Sequence, residues 1–228
     1  QQIKLAALGR LTANIAHEIR NPLSAISHAS DLLAEELDSP ISRRLVKIVR
    51  DNIDRLDKIV KDVLELNRRD HVKTKTIRLN QYLPEFIQSI SAAEKFDPLV
   101  FSCHIENNLC IAFDPNHLQQ VLWNIVCNAH RHSQKKTGSI QIHAWKNAKY
   151  CHLGVQDDGE GVPEAQKPHL YEPFFTTAIG GNGLGLYIAK EICAANSAQL
   201  RLIESTRGAC FQIRSKLDYL HHTPEHTI

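Results

Sequence analysis

Apolar residues recur every three or four positions through most of the first 66 residues of the chain. One run covers residues 8–37 and a second covers residues 45–66. This spacing puts the apolar side chains on one face of a helix, so the sequence predicts two long helices. Asp38-Ser39-Pro40 lies between the runs and predicts a turn followed by a helix start.

Each of these two predicted helices carries a narrow, heptad-like apolar stripe. Two helices alone cannot cover both stripes, whereas pairing with a second hairpin would make a four-helix bundle. We therefore expect residues 1–70 to form a helical hairpin that dimerises with a second copy of the chain.

The pattern changes at about residue 76, where short β-type runs begin to alternate with helical stretches. Residues 71–75 are expected to be a linker, and residues 76–218 a second domain. The predicted helices cover residues 81–93, 115–133 and 184–196. The predicted strands cover residues 99–106, 109–113, 139–145, 150–155, 199–203 and 209–214. Strands mixed with helices in this way predict an α+β layer with helices on one face of a sheet.

Composition excludes several classes of protein. The 228 residues are 43% hydrophobic and 23% charged, which is typical of a folded globular chain rather than a disordered one. A net charge of +2 predicts no direct binding to nucleic acid. No apolar run reaches the ~18 residues of a membrane span, and the six scattered cysteines contain no C-x-x-C pair. Scattered thiols fit a reducing cytoplasm.

His17 lies on the polar side of the first predicted helix. At about 100° per residue it is roughly 200° from Ile15, on the outside of any bundle. A neutral imidazole there has a free lone pair and is a competent nucleophile. The adjacent Glu18 can orient or accept the other ring proton, and Asn21 extends the polar patch. An ordinary solvated helix face explains the pair equally well.

A second polar face lies on the helix predicted at residues 115–133. Asn124, Asn128 and Arg131 recur at i, i+4 and i+7, opposite an apolar face. Amide oxygens can ligate Mg²⁺, and an arginine can bind phosphate oxygens. The alternative is a solvated face, although two asparagines lower helix propensity.

Two glycine-containing loops complete the candidate chemistry. Asp157 ends an apolar run and could accept a hydrogen bond from an exocyclic amine such as adenine N6, while Gly159 and Gly161 would let backbone pass close to a flat ring. Many hairpins have a similar acidic turn. The second loop, residues 179–186, opens a helix and so presents N–H groups to phosphate, but a flexible linker is the plain alternative. It matches neither a Walker A loop nor a dinucleotide fingerprint.

Taken together and in order, these segments resemble the two-component sensor histidine kinases. Residues 16–23 (AHEIRNPL) resemble the family's H box, and residues 124–129 (NIVCNA) its N box. Residues 157–161 (DDGEG), 173–175 (PFF) and 181–186 (GNGLGL) resemble the G1, F and G2 boxes. The resemblance covers nearly the whole chain and is greatest to the type IV pilus sensor kinases.

The resemblance implies a phosphoacceptor hairpin followed by an α/β sandwich of the Bergerat (GHKL) ATP-binding type. It implies that His17 is the phosphoacceptor, Glu18 its acid/base partner, Asn128 a Mg²⁺ ligand and Asn21 a residue for dephosphorylating the partner. The other residues that it assigns to the ATP pocket are Asn124, Arg131, His132, Asp157, Gly159, Gly161, Phe174, Phe175, Gly181, Gly183, Leu184 and Gly185. Arg131 replaces the family's usual Lys, and the lid between Phe175 and Gly181 is short.

The expected function is Mg-ATP-dependent phosphorylation of His17, followed by transfer to an aspartate in the receiver domain of a response regulator. A mechanical ATPase with the same pocket, or a non-catalytic dimeric scaffold, remains an alternative. The chain begins with Gln1 and contains no Met. We therefore expect it to be a fragment that lacks an upstream region. The resemblance implies that the chain is the cytoplasmic part of a bacterial sensor anchored in the inner membrane through that region.

Overall fold

The described part of the chain forms two compact units. The structure, a computed structural model, describes residues 19, 23–33, 39–67, 72–178 and 183–217. One unit contains the described residues of Gln1–His71 and of Phe174–Leu184. The other contains those of Val72–Pro173 and Gly185–Ile228.

The first unit is helical where the apolar periodicity predicts helices. Residues 23–33 are helical, and helix α1 spans Pro40–Asn67. The Ser42 N–H donates a hydrogen bond to Ser39 Oγ at 3.0 Å, so Ser39 caps the helix start that the Ser39-Pro40 pair predicts. The rest of the first predicted helix, apart from Ile19, lies outside the described residues.

This helical unit leaves much of its apolar surface exposed. Leu23, Val46 and Val60 are buried, and Arg50 Nε donates to Asp31 Oδ1 at 2.9 Å. On its described helices, the large apolar side chains that remain exposed are Ile19, Ile26, Leu32, Leu33, Ile41, Leu45, Ile48, Val49 and Leu56. A surface with this many large apolar side chains is typical of a protein–protein interface.

The second unit is built on a five-stranded sheet. Its elements are β1 (Lys75–Arg78), α2 (Leu79–Glu94), β2 (Phe101–Ile105), β3 (Cys110–Phe113), α3 (Pro115–His132), β4 (Ile140–Lys146), β5 (Tyr150–Asp157), α4 (Gly185–Ala195), β6 (Gln199–Ile203) and β7 (Cys210–Lys216). The strand order is β2-β4-β5-β7-β6, with β2 parallel to β4 and the other neighbours antiparallel. Strands β1 and β3 form a separate antiparallel pair.

Helix α3 lies at the centre of this unit, packed against α4 and against β5. Leu118, Leu122 and Ile125 of α3 are completely buried, together with Ile140 and Ile142 of β4. The apolar face predicted for this helix is therefore the face that packs into the core. The opposite face, with Asn124 and Asn128, is left for other contacts.

The elements of the second unit agree with the sequence prediction except near its start. All three helices begin and end within two residues of their predicted bounds. The sequence prediction missed strand β1, which begins at Lys75, the last residue of the predicted linker, and pairs Lys75 with Phe113 and Arg78 with Cys110. Strand β2 starts at Phe101 rather than at residue 99, since Asp97 caps a short 3-10 helix at Pro98–Val100.

Candidate functional site

The start of α3 is held in place by Asp114. Its carboxylate accepts hydrogen bonds from the backbone N–H groups of Asn116 (2.9 Å), His117 (3.3 Å) and Lys73 (2.8 Å). The Asp114 N–H itself donates to Asn196 Oδ1 at 2.9 Å. Burial alone would raise the pKa of Asp114, but these backbone hydrogen bonds lower it below its ordinary value. The sequence analysis did not single out this anchor.

Three of the predicted site residues share the outward face of α3. Asn124 and Asn128 are half-buried, Arg131 is exposed in the last turn, and His132 follows it. A Cβ added to Gly185 would lie 3.5 Å from Asn124 Oδ1, so α4 begins directly beside this face. Among the described residues, neither Asn124 nor Asn128 makes a side-chain hydrogen bond, which leaves both amides available to a ligand.

Asp157 is a buried carboxylate at the end of β5, 2% exposed. Its Oδ1 accepts hydrogen bonds from the backbone N–H groups of Gly159 (3.0 Å) and Ala209 (3.1 Å). Its Oδ2 receives no hydrogen bond from the residues that the structure describes. The carboxylate is therefore fixed in orientation and has one oxygen that can accept a hydrogen bond from a ligand.

Two glycines allow the backbone to pack tightly around Asp157. A Cβ at Gly159 would lie 2.3 Å from the His132 carbonyl oxygen, so this loop closes against the end of α3. A Cβ at Gly208 would lie 2.0 Å from the Asp157 carbonyl oxygen. The loop after β5 and the loop before β7 thus meet at Asp157. The sequence analysis identified Gly159 but missed Gly208 and Ala209, which are some 50 positions away.

Asp158 is also buried, but both of its carboxylate oxygens are bonded to other residues of the protein. It accepts hydrogen bonds from the Gln134 N–H (2.8 Å) and the Ser139 hydroxyl (3.1 Å), and Arg207 Nη2 lies 2.9 Å away. Burial would raise the pKa of Asp158, but the hydrogen bonds from Gln134 and Ser139, aided by Arg207, lower it. This second aspartate ties the loop after β5 to the segment after α3.

The remaining predicted loop residues are found in two places. Gly161 has a φ of +79°, and a Cβ there would lie 3.2 Å from the Gly208 carbonyl oxygen. In the helical unit, the Phe174 N–H donates to the Gly183 carbonyl at 3.0 Å, which joins the two ends of the short lid. Phe174 is 66% exposed, Phe175 is half-buried and Leu184 is buried.

Four predicted site residues lie outside the described residues. They are His17, Glu18 and Asn21 of the first predicted helix and Gly181 of the lid.

Two protein-family models match the chain. The model described as "His Kinase A (phospho-acceptor) domain" matches residues 7–72. The model described as "Histidine kinase-, DNA gyrase B-, and HSP90-like ATPase" matches residues 113–219. The chain belongs to the sensor histidine kinases. Its fold is accordingly a phosphoacceptor helical domain followed by a GHKL-type α/β sandwich, as the sequence predicts.

Curated sensor kinases are similar to this histidine kinase over most of its length. The "Sensor protein kinase PilS" of Pseudomonas aeruginosa is 40% identical over 93% of this chain, which covers 41% of that relative. The "Signal transduction histidine-protein kinase AtoS" of Escherichia coli is 31% identical over 89% of this chain and 33% of its own length. The chain thus spans less than half the length of these relatives.

Solved histidine kinases share the fold. The structure of full-length ShkA in complex with AMPPNP has a TM-score of 0.72 at 22% identity and covers 91% of this chain and 45% of that one. The structure of ThkA in complex with the response regulator TrrA has a TM-score of 0.66 at 26% identity, over 94% of this chain and 63% of that one.

Among the described helices of this kinase, none is long and apolar enough to cross a bilayer.

Proposed function

We propose that this kinase transfers the γ-phosphoryl group of ATP to His17 and then to an aspartate in the receiver domain of a response regulator. The observation that carries the proposal is the Asp157 carboxylate, which is buried and held by two backbone N–H groups, and whose Oδ2 accepts no hydrogen bond from any described residue. An acceptor of this kind suits the exocyclic amine of adenine. The tight approach at Gly159 and Gly208 suits a planar base beside it.

The polar face of α3 fits the phosphate end of the same nucleotide. Asn128 would hold Mg²⁺ through its side-chain oxygen, with Asn124 in support, because amide oxygens are ligands that this hard cation accepts. When bound, Mg²⁺ neutralises charge on the phosphate oxygens. Arg131, exposed in the last turn of α3, would add a permanent positive charge, and His132 would lie beside the nucleotide.

The loop that precedes α4 would complete the nucleotide site. Gly183, Leu184 and Gly185 lead into the first turn of α4, where free backbone N–H groups and the helix dipole favour an anion. Gly161, Phe174, Phe175 and Gly181 are assigned to the same pocket through the resemblance of their segments to the G1, F and G2 boxes.

His17 would accept the phosphoryl group on its unprotonated ring nitrogen. The new N–P bond forms as the bond between the γ-phosphorus and the bridging oxygen breaks, and ADP leaves. Glu18 would orient the ring through the proton on the other nitrogen and offset the cation that forms. Phosphoryl transfer depends on in-line positioning and charge neutralisation. One domain would therefore hold the nucleotide and neutralise its charge, and the other would present the accepting histidine. Asn21 would support dephosphorylation of the partner.

We further propose that the working form is a homodimer, with residues 1–70 as the dimerisation and phosphoacceptor domain and 76–218 as the catalytic domain. The exposed apolar side chains of the helical unit, among them Ile41 (73% exposed) and Leu45 (59%), support an interface between two copies. A four-helix bundle would cover them.

The partner would be a response regulator that activates transcription, in the manner of type IV pilus control. The 40% identity to PilS supports this choice, and the ThkA–TrrA complex supports docking of a receiver domain. The six cysteines form no disulfide in the part of the chain that the structure describes, which fits a cytoplasmic location, where ATP is also supplied. A membrane anchor outside this chain would place the kinase at the inner membrane.

Incubation with ATP labelled at the γ-phosphate tests the proposal. The wild type should acquire an acid-labile, base-stable label, and His17→Gln should acquire none, because the accepting nitrogen is removed. His28→Gln is a matched control, since His28 is an exposed histidine of the same helical unit, and it should label as the wild type does.

Equal labelling of His17→Gln and the wild type would contradict the assignment of the phosphoacceptor. Steady release of phosphate with no label on the protein would favour a mechanical ATPase. The absence of any nucleotide-induced rise in melting temperature would favour a non-catalytic scaffold.

A further inference from the structure

The side chain of Gln156 closes the turn between strands β6 and β7, residues 204–209. Its Nε2 donates hydrogen bonds to Ser205 Oγ at 2.9 Å and to the Arg207 carbonyl at 3.0 Å. The Ser205 hydroxyl donates to the same carbonyl at 2.7 Å and accepts from the Arg207 N–H at 3.2 Å. Two donors therefore occupy the Arg207 carbonyl oxygen, and they fix the orientation of its peptide group.

This fixed peptide group is next to the one that holds Asp157. The Arg207 carbonyl belongs to the peptide group that leads into Gly208, and the following peptide group carries the Ala209 N–H, which donates to Asp157 Oδ1 at 3.1 Å. Gly208 has a φ of +65° and no side chain that could restrain the backbone between the two groups. The direction of the Ala209 N–H therefore depends on how the turn is held.

Gln156 and Asp157 lie on opposite faces of the sheet, because successive side chains of a strand alternate between its two faces. Asp157 follows the buried Val155 on one face of β5, whereas Gln156 is half-buried on the other, beside Gln141 of β4. A ligand that bonds to Asp157 is therefore on the far side of the backbone from Gln156. A change of the Gln156 side chain can affect such a ligand only through the turn and Asp157.

We propose that Gln156 is a positioning residue for recognition of the base. By holding the turn it keeps Asp157 Oδ1 bonded to the loop backbone, which leaves Oδ2 for the exocyclic amine of adenine. This role rests on the function proposed above, in which Asp157 accepts a hydrogen bond from that amine. A carboxylate that loses the Ala209 N–H can turn about its terminal side-chain bond, and a hydrogen bond weakens steeply when its alignment is lost.

Binding of ATP and of purine riboside triphosphate, which lacks the exocyclic amine, to the full chain with Mg²⁺ tests this role. The wild type should bind ATP about 10- to 100-fold more tightly than the analogue. In Gln156→Leu this preference should fall about 3- to 10-fold, through weaker binding of ATP alone. A general defect of the pocket would weaken both nucleotides alike. Because both affinities are measured on one sample, an unfolded fraction does not change their ratio.

Two further variants control for the hydrogen bond and for its place. Gln156→Glu has nearly the same shape, but its carboxylate cannot donate to the Arg207 carbonyl, so it should behave as Gln156→Leu does. Gln141→Leu is the matched control. Gln141 lies beside Gln156 on the same face, but its Oε1 is 3.2 Å from His143 Nε2 and is not bonded to the turn. This variant should keep the wild-type preference for ATP.

Hydrogen exchange of backbone amides, followed by NMR without nucleotide, measures the hold on Asp157 directly. In Gln156→Leu the Ala209 N–H should exchange about 3- to 10-fold faster than in the wild type. The Gly159 N–H donates to the same Oδ1 from the other loop and should change less.

The outcomes separate this role from the function on which it rests. A wild type that binds both nucleotides equally would contradict recognition of adenine by Asp157, and the positioning role with it. A wild-type preference for ATP that Gln156→Leu and Gln156→Glu retain would overturn the positioning role alone. An equal loss of preference in Gln141→Leu, or unchanged exchange of the Ala209 N–H in Gln156→Leu, would overturn it as well.

Discussion

Asp157 and Asp158 are adjacent in the sequence, are both buried, and have different roles. One oxygen of Asp157 accepts hydrogen bonds from the loops and the other accepts none from the described residues, whereas Asp158 is bonded to Gln134, Ser139 and Arg207. Burial of a carboxylate is unfavourable unless it is compensated. For Asp158, hydrogen bonds and an ion pair within the protein offset the cost of burying the carboxylate. For Asp157, we expect a bound nucleotide to supply the missing hydrogen bond to Oδ2.

Asp157→Asn should weaken ATP binding about 10- to 100-fold while leaving the fold intact. The amide oxygen can still accept from Gly159 and Ala209, but its NH₂ group would face the amine of adenine, donor against donor. Titration calorimetry with ATP and GTP measures the effect, and the preference for ATP should fall. Asp158→Asn is the control and should lower stability with little change in affinity. Equal loss of ATP affinity in both variants would contradict the division of roles.

Gly208→Ala should be more destabilising than Gly138→Ala, although both glycines have positive φ, +65° and +71°. An added Cβ at Gly138 meets nothing within 4 Å, so only the backbone preference is lost, about 1–2 kcal/mol. At Gly208 the Cβ would lie 2.0 Å from the Asp157 carbonyl oxygen, which should add about 1–3 kcal/mol. Urea unfolding followed by tryptophan fluorescence compares them, and equal losses would show that the loop relaxes freely.

At the level of elements, α3 connects the core of the second unit to its candidate chemistry. One face is buried against the sheet, the opposite face carries Asn124 and Asn128, and Asp114 holds the first turn. Because a rigid helix fixes the spacing of its side chains, the position of the polar face depends on this cap.

Asp114→Ala should lower the free energy of unfolding by about 2–3 kcal/mol. The loss combines a helix cap, about 1–2 kcal/mol, with an unpaired Lys73 N–H. Asp97→Ala is the matched control, since Asp97 also precedes a proline and caps a helix. Asp97 is exposed, and among the described residues its side chain accepts only from the Leu99 N–H. Asp97→Ala should lower the free energy of unfolding by less than about 1 kcal/mol. Both tryptophans lie in the second unit, so their fluorescence during urea unfolding reports on it. Similar losses would contradict the structural role of Asp114.

Acid should destabilise this unit through Asp114 and Asp158. The pKa of each is lowered in the folded state, so the unfolded chain binds more protons as the pH falls. The contribution of these two carboxylates to the free energy of unfolding is complete above the unfolded-state pKa of about 3.9. It is lost as the pH drops through their folded-state pKa values. Urea midpoints measured from pH 7 to pH 3 should fall steeply below about pH 4 in the wild type, and less steeply in Asp114→Ala.

At the level of the whole molecule, the two units differ in how well they bury their apolar residues. The second unit has a closed core around α3, whereas the helical unit leaves Ile41, Leu45 and Ile48 exposed on one side of α1. Helical hairpins of this kind are stabilised by pairing with another hairpin. The stability of the helical unit should therefore depend on protein concentration.

Leu45→Glu should convert the chain from dimer to monomer in sedimentation experiments. A charge placed in the apolar interface would have to be buried without a partner. Lys47→Glu is the control, because Lys47 is exposed and about 200° away around α1, and it should remain dimeric. A monomeric wild type, or two variants that behave alike, would contradict the proposed interface.

The sequence alone determined the order and type of the described helices and strands other than β1, and the family to which the chain belongs. Helix periodicity, the Ser39-Pro40 start of α1 and the glycine-containing boxes are local patterns, and local patterns can be read without coordinates. The polar face of α3 was predictable for the same reason. The sequence also marked Asp157 as chemically interesting, but it did not separate the role of Asp157 from that of Asp158.

Only the tertiary structure decided which residues surround these local features. Pairing of β1 with β3, contact of Gly208 and Ala209 with Asp157, and stacking of Phe96 on His130 each join distant parts of the chain. Their formation depends on backbone hydrogen bonds and on close packing across the fold. Neither backbone hydrogen bonding nor close packing across the fold leaves a periodic signal in a single sequence, so the site's precise acceptor became visible only in three dimensions.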